Sequence, residues 1–301
     1  MNKHMFMPNP LRNPWFSLAK AYQLVGAIPS DQSALRDRIN GKYDSTMYSA
    51  LVDEYYDYSG FHNYGYWTPQ TDTQREASEY LVDLLIDSLA DKRGNILDVA
   101  CGMGASTKQL LLHYPSAEII GINISDKQLA TCRQRAPGCR FLNMDATRLN
   151  FPDQLFDNVL CVEAAFHFDT REKFLQEAYR VLKPGGCLAL SDILIRSRQI
   201  ASTIKHVPVA NFLAGVGEYR SVMEHVGFTN VRIVEALEPC WGGFRDHSFR
   251  FIRSKVLTGQ IPSYVLARTG KGQRWRDYAF SNYLLVSARK PCHSSDEGGT
   301  Q

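Results

Sequence analysis

The chain of 301 residues contains no run of ~18 apolar residues, which excludes a helix that spans a membrane. It also lacks any Cys-x-x-Cys pair. Its seven cysteines (Cys101, Cys132, Cys139, Cys161, Cys187, Cys240 and Cys292) are scattered and odd in number, so neither a disulfide framework nor a zinc knuckle is expected. They read as mostly small buried hydrophobes of a reducing cytoplasm, and no metal site is expected. No charge dominates: 34 Lys and Arg stand against 31 Asp and Glu, a net +3 that is too weak and dispersed to imply a nucleic-acid partner. The first residues have no apolar core of the secretory kind and are interrupted by Pro8, Pro10 and Pro14, so secretion by that route is not expected. Internal repeats are absent.

What is present is an ordinary globular composition, 44% hydrophobic and 22% charged, at a length that suits one large domain or two modest ones. Residues 1–74 show little periodicity but many aromatics and are expected to form a helical, aromatic lid. Ala77, Leu81, Leu84, Leu85 and Leu89 then recur at helical spacing. From there short apolar runs alternate with helical stretches. The runs fall at 96–100, 119–123, 141–144, 159–162 and 187–190, and the helices near 106–113, 126–135 and 170–182. Such alternation implies βαβ units and a parallel sheet covered on both faces. A helix at 211–226 and strands at 231–236 and 283–288 complete a domain over 75–290. An insertion at 240–279, rich in Phe, Arg and Trp, is expected to cover one end of the sheet, and 291–301 read as a loose tail.

The strongest signal is Ile96-Leu97-Asp98-Val99-Ala100-Cys101-Gly102-Met103-Gly104-Ala105-Ser106: an apolar strand, an acid, a glycine turn and a helix start. Gly102 and Gly104 let a ligand approach the backbone, and the helix start offers free N–H groups. A dinucleotide fingerprint requires a third glycine where Thr107 stands, and a phosphate-binding loop requires a lysine that does not follow. Asp98 would repel a pyrophosphate but suits a ligand with a positive amino group.

The Asp98-x-x-x-Gly102-x-Gly104 segment resembles motif I of the class I S-adenosyl-L-methionine (SAM) methyltransferases, with Ala100 where the family usually has glycine. The resemblance continues in order along 95–195. Asn123, at the end of strand two, stands where the family has an acid that binds the ribose, and Gln128 follows it, in a Ser125-x-x-Gln128 pattern that also reads as a capping box. Asp145 and Ala146 resemble the adenine-binding motif, Glu163 ends strand four on the cofactor side, and Leu182-Lys183-Pro184-Gly185-Gly186 resembles the turn into strand five. GNILDVACG, GINIS-x-KQL, APGC-x-FL-x-MDAT and VEAAFHF are similar to the O-methyltransferases of microcystin-type peptide–polyketide assembly, with tocopherol, sterol and mycolate methyltransferases further away. The resemblance implies a Rossmann-like α/β fold with a seven-stranded, mostly parallel sheet, helices on both faces and lid elements at each end. It also implies SAM as cofactor and Asp98, Gly102, Gly104, Asn123, Gln128, Asp145, Ala146 and Glu163 as its contacts.

For transfer to oxygen a general base assists. His167 is the candidate, just beyond strand four, and the alternative is a histidine packed between Phe166 and Phe168. Asp192 at the end of strand five is read as a partner that orients His167 or the substrate, or else as a cap. Tyr64, Tyr66 and Trp67 in the aromatic–Gly–aromatic stretch, with Trp241 in the insertion, are candidate substrate walls. Arg245, Arg250, Arg253 and Lys255 read as a solvated helix face. The expected activity is O-methylation of a small natural product in the cytoplasm, by a monomer or homodimer. C-methylation of an alkene or aromatic is the alternative. A SAM-binding scaffold, a nicotinamide oxidoreductase and a nucleic-acid methyltransferase fit less well, the last for want of an aromatic-Pro tetrapeptide after strand four.

Overall fold

A computed structural model describes residues 32–292, so residues 1–31 of the expected N-terminal lid and 293–301 of the expected tail lie outside the described residues. Seven strands form one sheet: β1 (Ile96–Val99), β2 (Ile119–Asn123), β3 (Arg140–Asn143), β4 (Phe156–Val162), β5 (Leu182–Ile195), β6 (Thr229–Glu235) and β7 (Phe280–Arg289). Their order is β3-β2-β1-β4-β5-β7-β6, with β7 antiparallel to both β5 and β6. This is the mostly parallel, Rossmann-like sheet implied by the sequence. Ile96, Leu97 and Val99 of β1 are fully buried. Each such side chain contributes ~1.5–3 kcal/mol by leaving water, and a strand covered on both faces reads as a continuous apolar run.

Three helices precede the sheet: α1 (Gln32–Met47), α2 (Ala50–Tyr55) and α3 (Gln74–Asp87). The start of α3 is fixed by a capping box in which Thr73 and Glu76 satisfy each other's backbone N–H groups. Its buried Ala77, Leu81, Val82, Leu85 and Ile86 form one stripe against the sheet. Crossovers α4 (Ala105–Leu110), α5 (Asp126–Arg135) and α6 (Arg171–Val181) join the parallel strands, and the short α7 (Arg198–Thr203) and α8 (Val216–Val226) follow β5. The insertion between β6 and β7 is helical: a π turn at Glu238–Gly242, α9 (Gly243–Leu257) and α10 (Tyr264–Ala279).

The strand order reverses between β1 and β4, which pair directly with β4 leading on to β5. Open α/β sheets bind ligands in the crevice at the carboxyl ends of such strands. Here α1, the aromatic loop after α2 and the α9–α10 insertion close over that crevice. No helix among the described residues is long and apolar enough to cross a membrane.

Candidate active site

Two cavities adjoin at the carboxyl edge of the sheet and share four lining residues, Tyr43, His62, Glu163 and His167. The smaller, of about 370 Å³, is floored by the turn after β1 and by the ends of β2 and β4. Gly102, Asn123, Gln128, Asp145, Ala146 and Glu163 all line it. Gly102 has a left-handed backbone (φ 54°), and a Cβ built there would meet only the Met47 methyl at 3.9 Å. The turn therefore presents bare backbone to the cavity, as a ligand lying against it requires. With Asp145 and Glu163 as carboxyl groups and Ile39, Met47, Phe61 and Ile122 as apolar walls, the cavity fits a nucleoside that carries a cationic amino group.

Two residues expected in this site stand behind it. Asp98 is buried beneath the turn, where its Oδ2 accepts from the Ser106 and Thr107 hydroxyls at 2.8 and 2.6 Å, and burial raises its carboxyl to about 6. It ties the start of α4 to β1 and does not line the cavity. Gly104 caps α4 in a left-handed conformation (φ 83°), where a Cβ would lie only 3.0 Å from the Cα of Cys132. Neither lines the cavity; both shape the turn that does.

The amide of Asn123 explains why an acid is missing there. Its Nδ2 donates to the Gly102 carbonyl at 3.1 Å and to Gln128 Oε1 at 2.8 Å, which a carboxylate cannot do. Gln128 in turn donates to Asp44 at 2.7 Å, while its backbone N–H donates to the Ser125 hydroxyl at 3.3 Å. The Ser125 cap is thus present, and the Gln128 side chain faces the cavity and α1 instead of closing a capping box. Asp145 Oδ1 accepts from the Thr147 N–H and hydroxyl, each at 2.8 Å.

The larger cavity, of about 650 Å³, is walled by the aromatic loop, by β5 and by the insertion. Tyr64 packs against Trp241 and Phe244, with ring centroids 5.2 and 4.7 Å apart, and Tyr64 and Trp241 both line it. Tyr66 and Trp67 do not. Tyr66 packs edge-on to Tyr80, and Trp67 donates to the Tyr64 carbonyl at 3.1 Å while its ring lies against His247. These two brace the loop against α3 and α9, because the left-handed Gly65 (φ 75°) turns the chain after Tyr64 and breaks any strand-like alternation. On α9, Arg250 and Arg253 are exposed, whereas Arg245 and Lys255 are partly buried in ion pairs, the first with Asp246 and Asp277 and the second with Glu54, so only part of that face is solvated.

His167 lies where the cavities meet, in a single 3₁₀ turn (Ala165–His167) after β4. Its Nδ1 is 2.7 Å from the His206 carbonyl, and its Nε2 is 2.5 Å from the Tyr43 hydroxyl. Burial and the charge of Lys42 lower it to about 3, so it is neutral near pH 7. Asp192, expected beside it, is instead fully buried on the sheet. It accepts from Arg171 Nε at 2.6 Å and from the Tyr219 hydroxyl at 2.9 Å, and it lines neither cavity. It anchors α6 and α8 to β5. The reading of Asp192 as a catalytic residue is therefore corrected: the end of a strand fixes a position but not the face its side chain takes.

Glu163 accepts from the Tyr64 N–H and the Tyr283 hydroxyl, both at 2.8 Å, and burial lifts its carboxyl to about 8. Helix α1 supplies residues that sequence periodicity missed. Arg36 donates to Asn143 at 2.6 Å, Asn40 donates to the Ile124 carbonyl at 3.1 Å, and Tyr43 reaches His167. Among the described residues no group of His, Cys, Asp and Glu is arranged to hold a metal.

Residues 97–190 match the family described as a methyltransferase domain. The chain is similar to the erythromycin 3''-O-methyltransferase of Saccharopolyspora erythraea, with 27% identity over 76% of this chain and 83% of that protein. It is also similar to the 27-O-demethylrifamycin SV methyltransferase of Amycolatopsis mediterranei, with 26% identity over 85% and 97% of the two chains. In fold it resembles the crystal structure of the [4+2]-cyclase SpnF, with a TM-score of 0.66 at 20% identity over 89% of this chain and all of that one.

Proposed function

We propose that this chain, a class I SAM-dependent methyltransferase, methylates a hydroxyl group of a small natural product, with His167 as the general base. The observation that carries the proposal is the fixed tautomer of His167. A carbonyl oxygen only accepts, so the His206 carbonyl keeps the imidazole proton on Nδ1. The Nε2 lone pair is then aimed at the junction of the two cavities, where it already accepts from a hydroxyl, that of Tyr43.

The residues that would hold the cofactor are those lining the smaller cavity. Gly102 offers bare backbone, Asn123 and Gln128 form the wall after β2, Asp145 and Ala146 form the wall after β3, and Glu163 stands at the opening to the larger cavity. When bound, SAM supplies a methyl group on a positively charged sulfur. Tyr64, Trp241 and Phe244 provide an apolar wall that orients an acceptor and excludes water. His167 takes the hydroxyl proton at Nε2. An oxygen that gains a bond to carbon becomes strongly acidic, so a base lowered to about 3 still accepts its proton.

C-methylation is the second reading. The aromatic wall of Tyr64, Trp241, Phe244 and Phe280 favours it, because ring faces attract a developing carbocation. One experiment separates the two. The protein is incubated with methyl-¹³C SAM and a metabolite extract of the cells that make it, and the labelled product is located by mass spectrometry and NMR. Label on oxygen supports the proposal, label on carbon replaces it with the second reading, and the absence of any transferred label counts against both.

A further inference from the structure

Four side chains, Tyr43, His62, Glu163 and His167, border both cavities and so mark the junction across which a methyl group would pass. Three of them are engaged. His167 is held by the His206 carbonyl and the Tyr43 hydroxyl, and Glu163 accepts from the Tyr64 N–H and the Tyr283 hydroxyl. His62 differs: neither of its ring nitrogens has a hydrogen-bond partner among the described residues. The ring is half-buried, and its nitrogens are not sealed inside the protein, so they open onto the cavities that the ring lines.

The placement of His62 is firm. Its loop is pinned two residues further on by the bond from the Tyr64 N–H to Glu163. Asn63 fixes it again. The Asn63 carbonyl accepts from the Tyr56 hydroxyl at 3.0 Å and from Gln74 Nε2 at 3.1 Å, and its Oδ1 accepts from the Gly65 N–H at 3.0 Å. The Tyr56 ring lies against the imidazole with centroids 4.9 Å apart. A polar group held this firmly with nothing to bond calls for a ligand atom. Burial and the charge of Arg135 lower the imidazole to about 3, so near pH 7 it is neutral and offers one N–H donor and one lone pair. That combination matches an uncharged hydroxyl or carbonyl better than an ion. At the junction the cofactor would present a sulfonium methyl, which offers an N–H no acceptor, whereas the molecule to be methylated presents oxygen.

We infer that His62 hydrogen-bonds a second, uncharged oxygen of the acceptor molecule, close to the hydroxyl that His167 deprotonates. The acceptor is thus a diol, a catechol or a hydroxy-carbonyl compound, with its apolar body along Tyr64, Trp241 and Phe244. His62 selects for that second oxygen. The inference rests on the roles proposed above for the larger cavity and for His167.

Binding without turnover tests it. 2-Naphthol, naphthalene-2,3-diol and naphthalene-1,3-diol are titrated calorimetrically near pH 7 into the full chain saturated with S-adenosylhomocysteine. At least one diol is expected to bind about three- to tenfold more tightly than 2-naphthol, as one or two neutral hydrogen bonds imply. The first diol carries its oxygens on adjacent carbons and the second on alternate ones, so the tighter of the two gives the spacing. His62→Phe should erase the preference while leaving 2-naphthol binding unchanged, and His62→Gln should retain part of it. The ring-nitrogen NMR signals of His62, identified by their loss in His62→Phe, should shift with the preferred diol and not with 2-naphthol. Equal binding or no binding of all three probes overturns the inference, as does a preference that His62→Phe retains. A His62 signal that moves with S-adenosylhomocysteine and no further with either diol also overturns it and assigns the residue to the cofactor. No methyl group moves in these titrations, so failure here leaves the methylation reading standing. A protein that transfers no methyl group yet keeps a His62-dependent preference leaves this contact standing.

Discussion

The imidazole of His167 and the main-chain carbonyl of His206 are 2.7 Å apart, across 39 residues of sequence, and the contact sets the chemistry of the site. It holds the proton on Nδ1 and leaves Nε2 as the acceptor. It also links the turn after β4 to the segment after α7, whose His206 ring contacts Lys42. The proposed base and the carbonyl that orients it thereby share one corner of the larger cavity with Lys42.

Glu163 makes stability depend on pH in a direction opposite to that of His167. Burial raises its carboxyl from 4.5 to about 8, so the native state keeps a proton that the unfolded chain has released. The stabilising contribution is full below about 4.5 and is lost as pH rises towards about 8. His167, lowered from 6.5 to about 3, refuses a proton that the unfolded chain takes up, so its effect is lost stability as pH falls from 6.5 towards 3. Glu163→Gln should therefore gain on the wild type as pH rises between about 5 and 8, by up to about 1.4 kcal/mol per pH unit. Thermal unfolding across that range measures it. A difference that does not change with pH would show that Glu163 holds no proton in the native state.

Asp145→Ala removes a carboxylate from the wall of the smaller cavity and the acceptor of the Thr147 N–H. SAM should bind more weakly by roughly 1–3 kcal/mol, the cost of leaving polar partners unsatisfied. Calorimetry reads this directly, and an unchanged Kd would remove Asp145 from the cofactor's surroundings.

Gly104→Ala places a methyl group 3.0 Å from the Cys132 backbone at a φ of 83°. A side chain in that conformation costs about 1–3 kcal/mol before any steric push. Both the melting temperature and the SAM affinity should fall, because the turn that carries Gly102 must move. Wild-type values for both would mean that the turn is looser than its packing implies.

Asp192→Asn leaves the Arg171 guanidinium buried without its counter-charge. The expected loss of stability is about 3–5 kcal/mol, with SAM affinity of the folded fraction nearly unchanged. Normal stability with lost turnover would restore Asp192 as a reacting group.

The central strands of this fold were legible because they are buried on both faces. Ile96–Val99 and Val159–Val162 read as apolar runs for that reason, and the turn at Gly102 followed from its neighbours. Six of the eight expected cofactor residues line one cavity. Helix α1 was hard to place, since its only apolar row, Leu35, Ile39, Tyr43 and Met47, is one residue wide among polar neighbours, and Arg36, Asn40 and Asp44 join it to the sheet edge by hydrogen bonds. Its Lys42 and Tyr43 were missed with it. The aromatic and basic richness of 240–279 does not say which face of α10 lines the larger cavity. Tyr66, Trp67 and Asp192 failed for a shared reason: proximity along the chain does not say which way a side chain turns.

The most direct test of the account is His167→Ala, assayed in single turnover on the product identified by labelling, with SAM affinity measured alongside. Methyl transfer is expected to slow by about 10²–10⁴-fold while the SAM Kd stays within about twofold, the signature of a lost general base. Transfer at the wild-type rate would contradict the account and return His167 to a packing role between Phe166 and Tyr43.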